Sequence, residues 1–283
     1  MAAGADVPAL VSTGWLAERL VDAHVRPVDA SWYLPASGRD AAAEFVAAHI
    51  PGAVRFDLEE NSYPSSSLPH MLPTPEAFTA SMRRLGLSNG DTFVVYDDSG
   101  ANMSAARAWW MFRVFGHPRV AVLDGGFGKW RAEGRALEAG VGRAGQGDFA
   151  ARFEPARVRD LTAMRANLGT GAEQVIDARS AGRFAGTAPE PRPGLRSGHI
   201  PGSHSLPYTE LVGPDGTMLP AAELRRKFAR AGIDLERPVV ASCGSGVTAC
   251  ALVHALHLLG HEDTAVYDGS WSEWGGREDV PVE

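Results

Sequence analysis

The run Cys243-Gly244-Ser245-Gly246-Val247-Thr248-Ala249 places a thiol between a short apolar stretch, Pro238-Val239-Val240-Ala241, and an apolar segment over 247–259 that suits a helix. At a strand-to-helix turn the first N–H groups of the helix have no helical acceptor, and glycines allow the backbone to bend closely around a side chain. Free cysteine is only a few per cent thiolate near neutrality, so donors that favour the anion also make the sulfur a nucleophile. The residue types therefore point to thiolate chemistry at Cys243, with Gly244, Gly246, Val247 and Thr248 forming the main-chain cradle. Ser245 and Thr248 add hydroxyls, and Thr248 is also placed to cap the helix. Cys250, seven residues on, reads as a small buried helix residue.

Other chemistry-bearing residues read as structural. His254 and His257 have helical i, i+3 spacing but no third ligand at a credible distance, so no metal is expected, nor any other cofactor. His49 and His199 each sit in a His-Ile-Pro-Gly turn, and Trp109, Trp110, Trp130, Trp271 and Trp274 read mostly as core.

A nucleophile in such a turn needs a strand in front of it and a helix behind. Short β-branched runs (Val94-Val95, Val120-Ala121-Val122, Val175-Ile176, Val239-Val240) alternate with longer helix-like stretches such as 101–115 and 221–231. This alternation predicts an α/β fold of parallel sheets with helices on both faces, and the Cys243 turn falls at the carboxyl end of a strand, where such sheets bind ligands.

The chain has 283 residues, 45% hydrophobic and 22% charged, which suits two folded domains and argues against disorder. Its formal net charge of -7 provides no basic field for nucleic acid. No apolar run is long enough to span a membrane. The two cysteines are poorly spaced for a disulfide or a zinc site, which suits a reducing compartment. Residues 1–20 carry Asp6 and Glu18 and no signal-like apolar core, so the cytoplasm is the expected compartment, with a mitochondrial form left open.

The chain also repeats itself. Ala48-His49-Ile50-Pro51-Gly52-Ala53 matches Gly198-His199-Ile200-Pro201-Gly202-Ser203, and Leu123-Asp124-Gly125-Gly126-Phe127 matches Tyr267-Asp268-Gly269-Ser270-Trp271. A third pairing sets Val94-Val95-Tyr96-Asp97-Asp98 against Val239-Val240-Ala241-Ser242-Cys243, which puts Asp98 opposite Cys243. The expected organisation is an amino-terminal copy over 1–140 without the thiol, a Gly/Ala/Arg-rich linker over 141–155, and a thiol-bearing copy over 156–283.

Taken together, the Cys-Gly-Ser-Gly-Val-Thr-Ala turn, the paired His-Ile-Pro-Gly motifs and the paired Asp-Gly-(Gly/Ser)-(Phe/Trp) segments resemble the tandem-domain rhodanese family over nearly the whole chain. The resemblance implies a sulfurtransferase that carries sulfur as a persulfide on Cys243. Thiosulfate-using members usually carry Cys-Arg-Lys-Gly-Val-Thr, whereas Gly244 and Ser245 stand here, so the turn is more similar to the branch that takes sulfur from 3-mercaptopyruvate and releases pyruvate. Thiosulfate-to-cyanide transfer and a non-catalytic persulfide relay are the alternatives.

That branch further implies Arg183 and Arg192 as holders of the donor carboxylate, and a relay of Ser245 with His70 and an acid. The acid position holds Glu59 where the branch has aspartate, with Asp57 nearby. Thioredoxin, small thiols or cyanide are the implied acceptors. Related phosphatase loops need Cys-x5-Arg, and Ala249 occupies that arginine position, which argues against phosphate chemistry.

Overall fold

The computed structural model describes residues 7–142 and 145–283, and they form two compact units. The first unit takes the chain up to Asn61 with Pro73–Phe153 and Pro214–Thr217. The second takes Ser62–Leu72, Glu154–Gly213 and Met218–Glu283.

The first unit contains strands β1 (Leu10–Val11), β2 (Val25–Asp29), β3 (Val54–Arg55), β4 (Thr92–Tyr96) and β5 (Val120–Leu123), with helices α1 (Thr13–Arg19), α2 (Ala41–Ala47), α3 (Pro75–Arg84), α4 (Met103–Val114) and α5 (Gly126–Ala132). The strands make one parallel sheet in the order β1-β5-β4-β2-β3. The second unit repeats the plan with β6 (Val158–Arg159), β7 (Gln174–Asp177), β8 (His204–Ser205), β9 (Val239–Ser242) and β10 (Thr264–Tyr267), in the order β6-β10-β9-β7-β8. Its helices are α6 (Leu161–Thr170), α7 (Ala181–Phe184), α8 (Ala221–Arg230), α9 (Ala249–Leu258) and α10 (Ser270–Trp274).

The four β-branched runs fall on β4, β5, β7 and β9, and every residue of these strands is buried, as expected where helices cover both faces of a parallel sheet. Leu16, Val94, Tyr96, Leu123, Phe127 and Trp130 anchor the first core, and Met164, Val240, Tyr267, Trp271 and Trp274 the second. The repeated tryptophans do the same job in both: Trp130 Nε1 donates to the Ala136 carbonyl at 2.9 Å and Trp274 Nε1 to that of Pro281 at 2.8 Å. The repeated histidines also match, His49 stacking on Phe45 with Nδ1 against its carbonyl, and His199 stacking on Phe184 in the same way. Among the described residues no helix is long and apolar enough to cross a membrane.

The ladder registers correct the internal alignment by one residue. Asp29 of β2 pairs with Tyr96 and Asp177 of β7 pairs with Ser242, so Asp97 and Cys243 are the equivalent next residues. Their carbonyls agree, that of Asp97 accepting from Phe127 N at 2.8 Å and that of Cys243 from Trp271 N at 2.9 Å. Asp98 therefore corresponds to Gly244. Two adjacent acids after a valine-rich strand allow either alignment by eye, and only the ladder distinguishes them.

Candidate active site

Cys243 follows the last residue of β9 and is 1% exposed. Its peptide N–H donates to Ser270 Oγ at 3.2 Å, and Ser270 Oγ donates to the Tyr267 carbonyl at 2.7 Å. The Gly244 carbonyl accepts from both the N–H and the hydroxyl of Ser272, at 2.9 and 2.6 Å. The start of α10 thus pins the turn from one side. Gly246 has φ 77, a left-handed conformation that suits glycine. A Cβ at Gly244 would lie 3.0 Å from Arg183 Nη2, so its glycine gives the guanidinium close access to the turn beside Cys243.

Helix α9 starts at Ala249, two residues later than the apolar segment suggested. Thr248 holds the N-cap position, but in an α-helical conformation with no side-chain cap bond, so the capping expected of its hydroxyl is not made. Among the described residues the N–H groups of Ser245, Val247, Thr248 and Ala249 reach no protein acceptor. In the first unit three of the corresponding donors, the N–H groups of Ser99, Ala101 and Met103, are taken. Asp97 Oδ1 accepts from Ser99 N at 2.9 Å and Ser99 Oγ at 2.7 Å, while Oδ2 accepts from Ala105 N at 2.9 Å and Ser104 Oγ at 3.2 Å. Ser99 Oγ in turn accepts from Ala101 N and Met103 N, both at 3.2 Å. The same turn therefore holds a buried carboxylate in one unit and presents a thiol with uncommitted donors in the other.

Ser245, 6% exposed, has Oγ 2.9 Å from Nδ1 of His70, which is 3% exposed. Although it comes from the first half of the chain, His70 belongs to the second unit through Ser62–Leu72. Its φ of 60 is unusual for a non-glycine residue, and the segment is held two residues on, where Leu72 N donates to Asp268 Oδ2 at 2.8 Å. Glu59 lies in the first unit, where Oε1 accepts from Trp32 Nε1 at 2.8 Å. Asp57, in the same unit, accepts from the N–H groups of Glu59 and Glu60 and pairs with Arg55 at 2.6 Å. Burial pushes the Asp57 carboxyl up, but Arg55 and those N–H groups outweigh it and hold the group below the usual carboxylate range.

Arg183 is already paired. Its Nε lies 3.2 Å from both oxygens of Glu190, and its Nη2 donates to Oε2 at 2.5 Å. Glu190, with its side chain 2% exposed, also takes Nη1 of the buried Arg179 at 2.7 Å. Arg179 in turn grips Asp177 and lies over the Trp271 ring, 4.3 Å from its centroid. Arg192 is half-buried and has no hydrogen-bond or ion-pair partner among the described residues. Sequence reasoning missed Asp268, Ser270, Arg179 and Glu190. Asp268 and Ser270 lie in the repeated Asp-Gly motif, which was a usable signal, whereas Glu190 stands between Pro189 and Pro191, where no local pattern marks a buried carboxylate. Cys250 is buried and its thiol contacts the Gly246 carbonyl.

Two parallel-sheet units of one topology, one of them with a cysteine at the head of its strand-to-helix turn, define a duplicated α/β protein with a candidate thiol nucleophile. The model of the rhodanese-like domain matches residues 12–133 and again 160–277, and the chain belongs to that family. It is 46% identical, over 97% of this chain and 78% of the relative, to Thiosulfate/3-mercaptopyruvate sulfurtransferase 1, mitochondrial, of Arabidopsis thaliana. To the 3-mercaptopyruvate sulfurtransferase of Escherichia coli strain K12 it is 44% identical, over 96% of this chain and 97% of the relative. The crystal structure of SseA from Escherichia coli, described as a 3-mercaptopyruvate sulfotransferase, superposes with a TM-score of 0.86 at 40% identity, covering 94% of this chain and 99% of that one.

Proposed function

We propose that the protein is a sulfurtransferase that takes sulfur from 3-mercaptopyruvate through a persulfide on Cys243. The observation that carries this reading is the turn itself: where the first unit buries the Asp97 carboxylate among main-chain donors, the second has a thiol, so the cradle suits an anionic sulfur. The relatives named for 3-mercaptopyruvate supply the donor.

In the first half-reaction the Cys243 thiolate attacks the donor sulfur, an S–S bond forms, and the carbon–sulfur bond breaks with its electron pair left on carbon. The resulting enolate of pyruvate takes a proton, and pyruvate leaves. His70 and Ser245, within hydrogen-bond reach of each other, are suited to hold or pass that proton, with Glu59 as the proposed acid of the relay. Arg183 and Arg192 are the proposed carboxylate holders, and a planar guanidinium suits that task. The turn formed by Gly244, Gly246, Val247 and Thr248 stabilises the sulfur anion before and after transfer.

In the second half-reaction an acceptor thiolate, on thioredoxin or a small thiol, or cyanide attacks the outer sulfur and returns the Cys243 thiolate. This chemistry needs a reducing compartment, and the cytoplasm is the proposed one. Thiosulfate is the second donor reading, favoured by the double name of the Arabidopsis relative.

Intact-mass measurement after mixing with 3-mercaptopyruvate tests the scheme. A one-sulfur adduct that is absent in Cys243→Ser is expected, and pyruvate release at an unchanged rate in that variant would end the proposal.

A further inference from the structure

Glu190 is a carboxylate with a side chain only 2% exposed, and it sits between two guanidinium groups. It takes Arg179 Nη1 at 2.7 Å and meets Arg183 through both Nε and Nη2. Arg183 in turn has Nη2 within 3.0 Å of where a Gly244 Cβ would stand, so its charge lies against the Cys243 turn. Asp177 completes the network on Arg179. Two cations and two anions leave this cluster neutral, and the turn from Gly244 to Ala249 contains no charged side chain. Of Arg179, Arg183 and Arg192, the last is then the one that no carboxylate matches among the described residues.

From this arrangement we infer that Glu190 determines specificity by donor charge: it offsets the charge of Arg183, so the site favours a donor with one negative charge over a donor with two. The inference rests on the sulfurtransferase reading above. A 3-mercaptopyruvate molecule with its thiol protonated carries one carboxylate charge, whereas thiosulfate carries two. With Glu190 ionised, the second charge of a dianion meets a guanidinium already matched by a buried carboxylate. With that carboxylate made neutral, Arg183 becomes an uncompensated cation against the Gly244 end of the turn, and the gain goes mainly to the dianion. A full charge altered within several ångströms at a partly buried site is worth enough to shift a specificity ratio by about tenfold or more.

The test compares kcat/KM for thiosulfate and for 3-mercaptopyruvate in the wild-type protein, in Glu190→Gln, which removes the charge, and in Glu190→Asp, which keeps it on a shorter stem. The expected result is a rise of about tenfold in the thiosulfate-to-mercaptopyruvate ratio in Glu190→Gln and a ratio near wild type in Glu190→Asp. Equal losses for both donors in Glu190→Gln would mean that the residue only supports the fold, and would overturn the inference. A measurement on the wild-type protein stands even if Glu190→Gln does not fold: monovalent pyruvate should compete with the donor at lower concentration than divalent sulfate, and the reverse order overturns the inference. If the wild-type protein formed no Cys243 persulfide with either donor, the sulfurtransferase reading itself would fail, a result separate from an unchanged donor ratio.

Discussion

Ser270 is where the fold and the thiol meet most directly, and its removal has a calculable effect. Its Oγ accepts the Cys243 peptide N–H at 3.2 Å and donates to the Tyr267 carbonyl at 2.7 Å, in a residue with no exposed surface. Its backbone lies at φ 49, a left-handed conformation that costs a non-glycine residue about 1 kcal/mol. Ser270→Ala keeps that strain and leaves the Cys243 N–H buried without an acceptor, a loss of about 1–3 kcal/mol. Ser270→Gly removes the same hydroxyl but relieves the strain, and should recover about 1 kcal/mol of that loss. The equivalent residue of the first unit, Gly126 at φ 56, shows the alternative: a Cβ there would come within 2.4 Å of the Asp97 carbonyl.

Urea unfolding of the three proteins measures the stability term, and the rate of one-sulfur adduct formation measures its consequence at Cys243. The expected order of stability is wild type, then Ser270→Gly, then Ser270→Ala, with slower adduct formation in both variants because the turn has lost a fixing bond. A Ser270→Ala protein that unfolds at the wild-type urea concentration, or one more stable than Ser270→Gly, would refute the argument.

Two further outcomes concern the first unit. Burial holds His117 down to about 4, against an ordinary 6.5, while it stacks on Phe93 at 4.1 Å with Nε2 against the Arg119 carbonyl. The unfolded chain therefore binds a proton below pH 6.5 that the folded one refuses until about pH 4, so the stabilising contribution is complete above 6.5 and lost as the pH falls towards 4. The wild-type protein should lose on the order of 3 kcal/mol relative to His117→Phe between pH 7 and pH 4, and parallel stability curves would refute this. Asp97→Asn turns one acceptor oxygen into a donor facing N–H or hydroxyl donors; it should lower stability by about 1–3 kcal/mol in a denaturant titration, and an unchanged midpoint would contradict the role given to that carboxylate.

What was legible in the sequence was contiguous in it. The Cys243 turn, the strands flanking it and the repeated His-Ile-Pro-Gly and Asp-Gly motifs are short strings whose local geometry follows from their own residues. What was not legible depends on pairing between segments. Glu190 stands between two prolines with no local sign of burial, because its burial comes with its pairing to Arg179 and Arg183. His70 reaches Ser245 only because residues 62–72 pack into the unit formed mainly by the second half of the chain, which no local pattern announces. The one-residue slip that set Asp98 opposite Cys243 has the same origin, since a register is a property of two strands and cannot be read from one.

The corrected register also gives the duplication a physical meaning. In the first unit Asp97 and Ser99 fill the donors of the turn, so that unit satisfies its own buried N–H groups without any ligand. In the second unit the equivalent N–H groups of Ser245, Val247 and Ala249 have no protein acceptor among the described residues, an arrangement that forgoes hydrogen bonds the same fold is able to make. A turn whose donors no protein group takes can offer them to an anion, and under the proposed function that anion is the sulfur that becomes negatively charged during transfer.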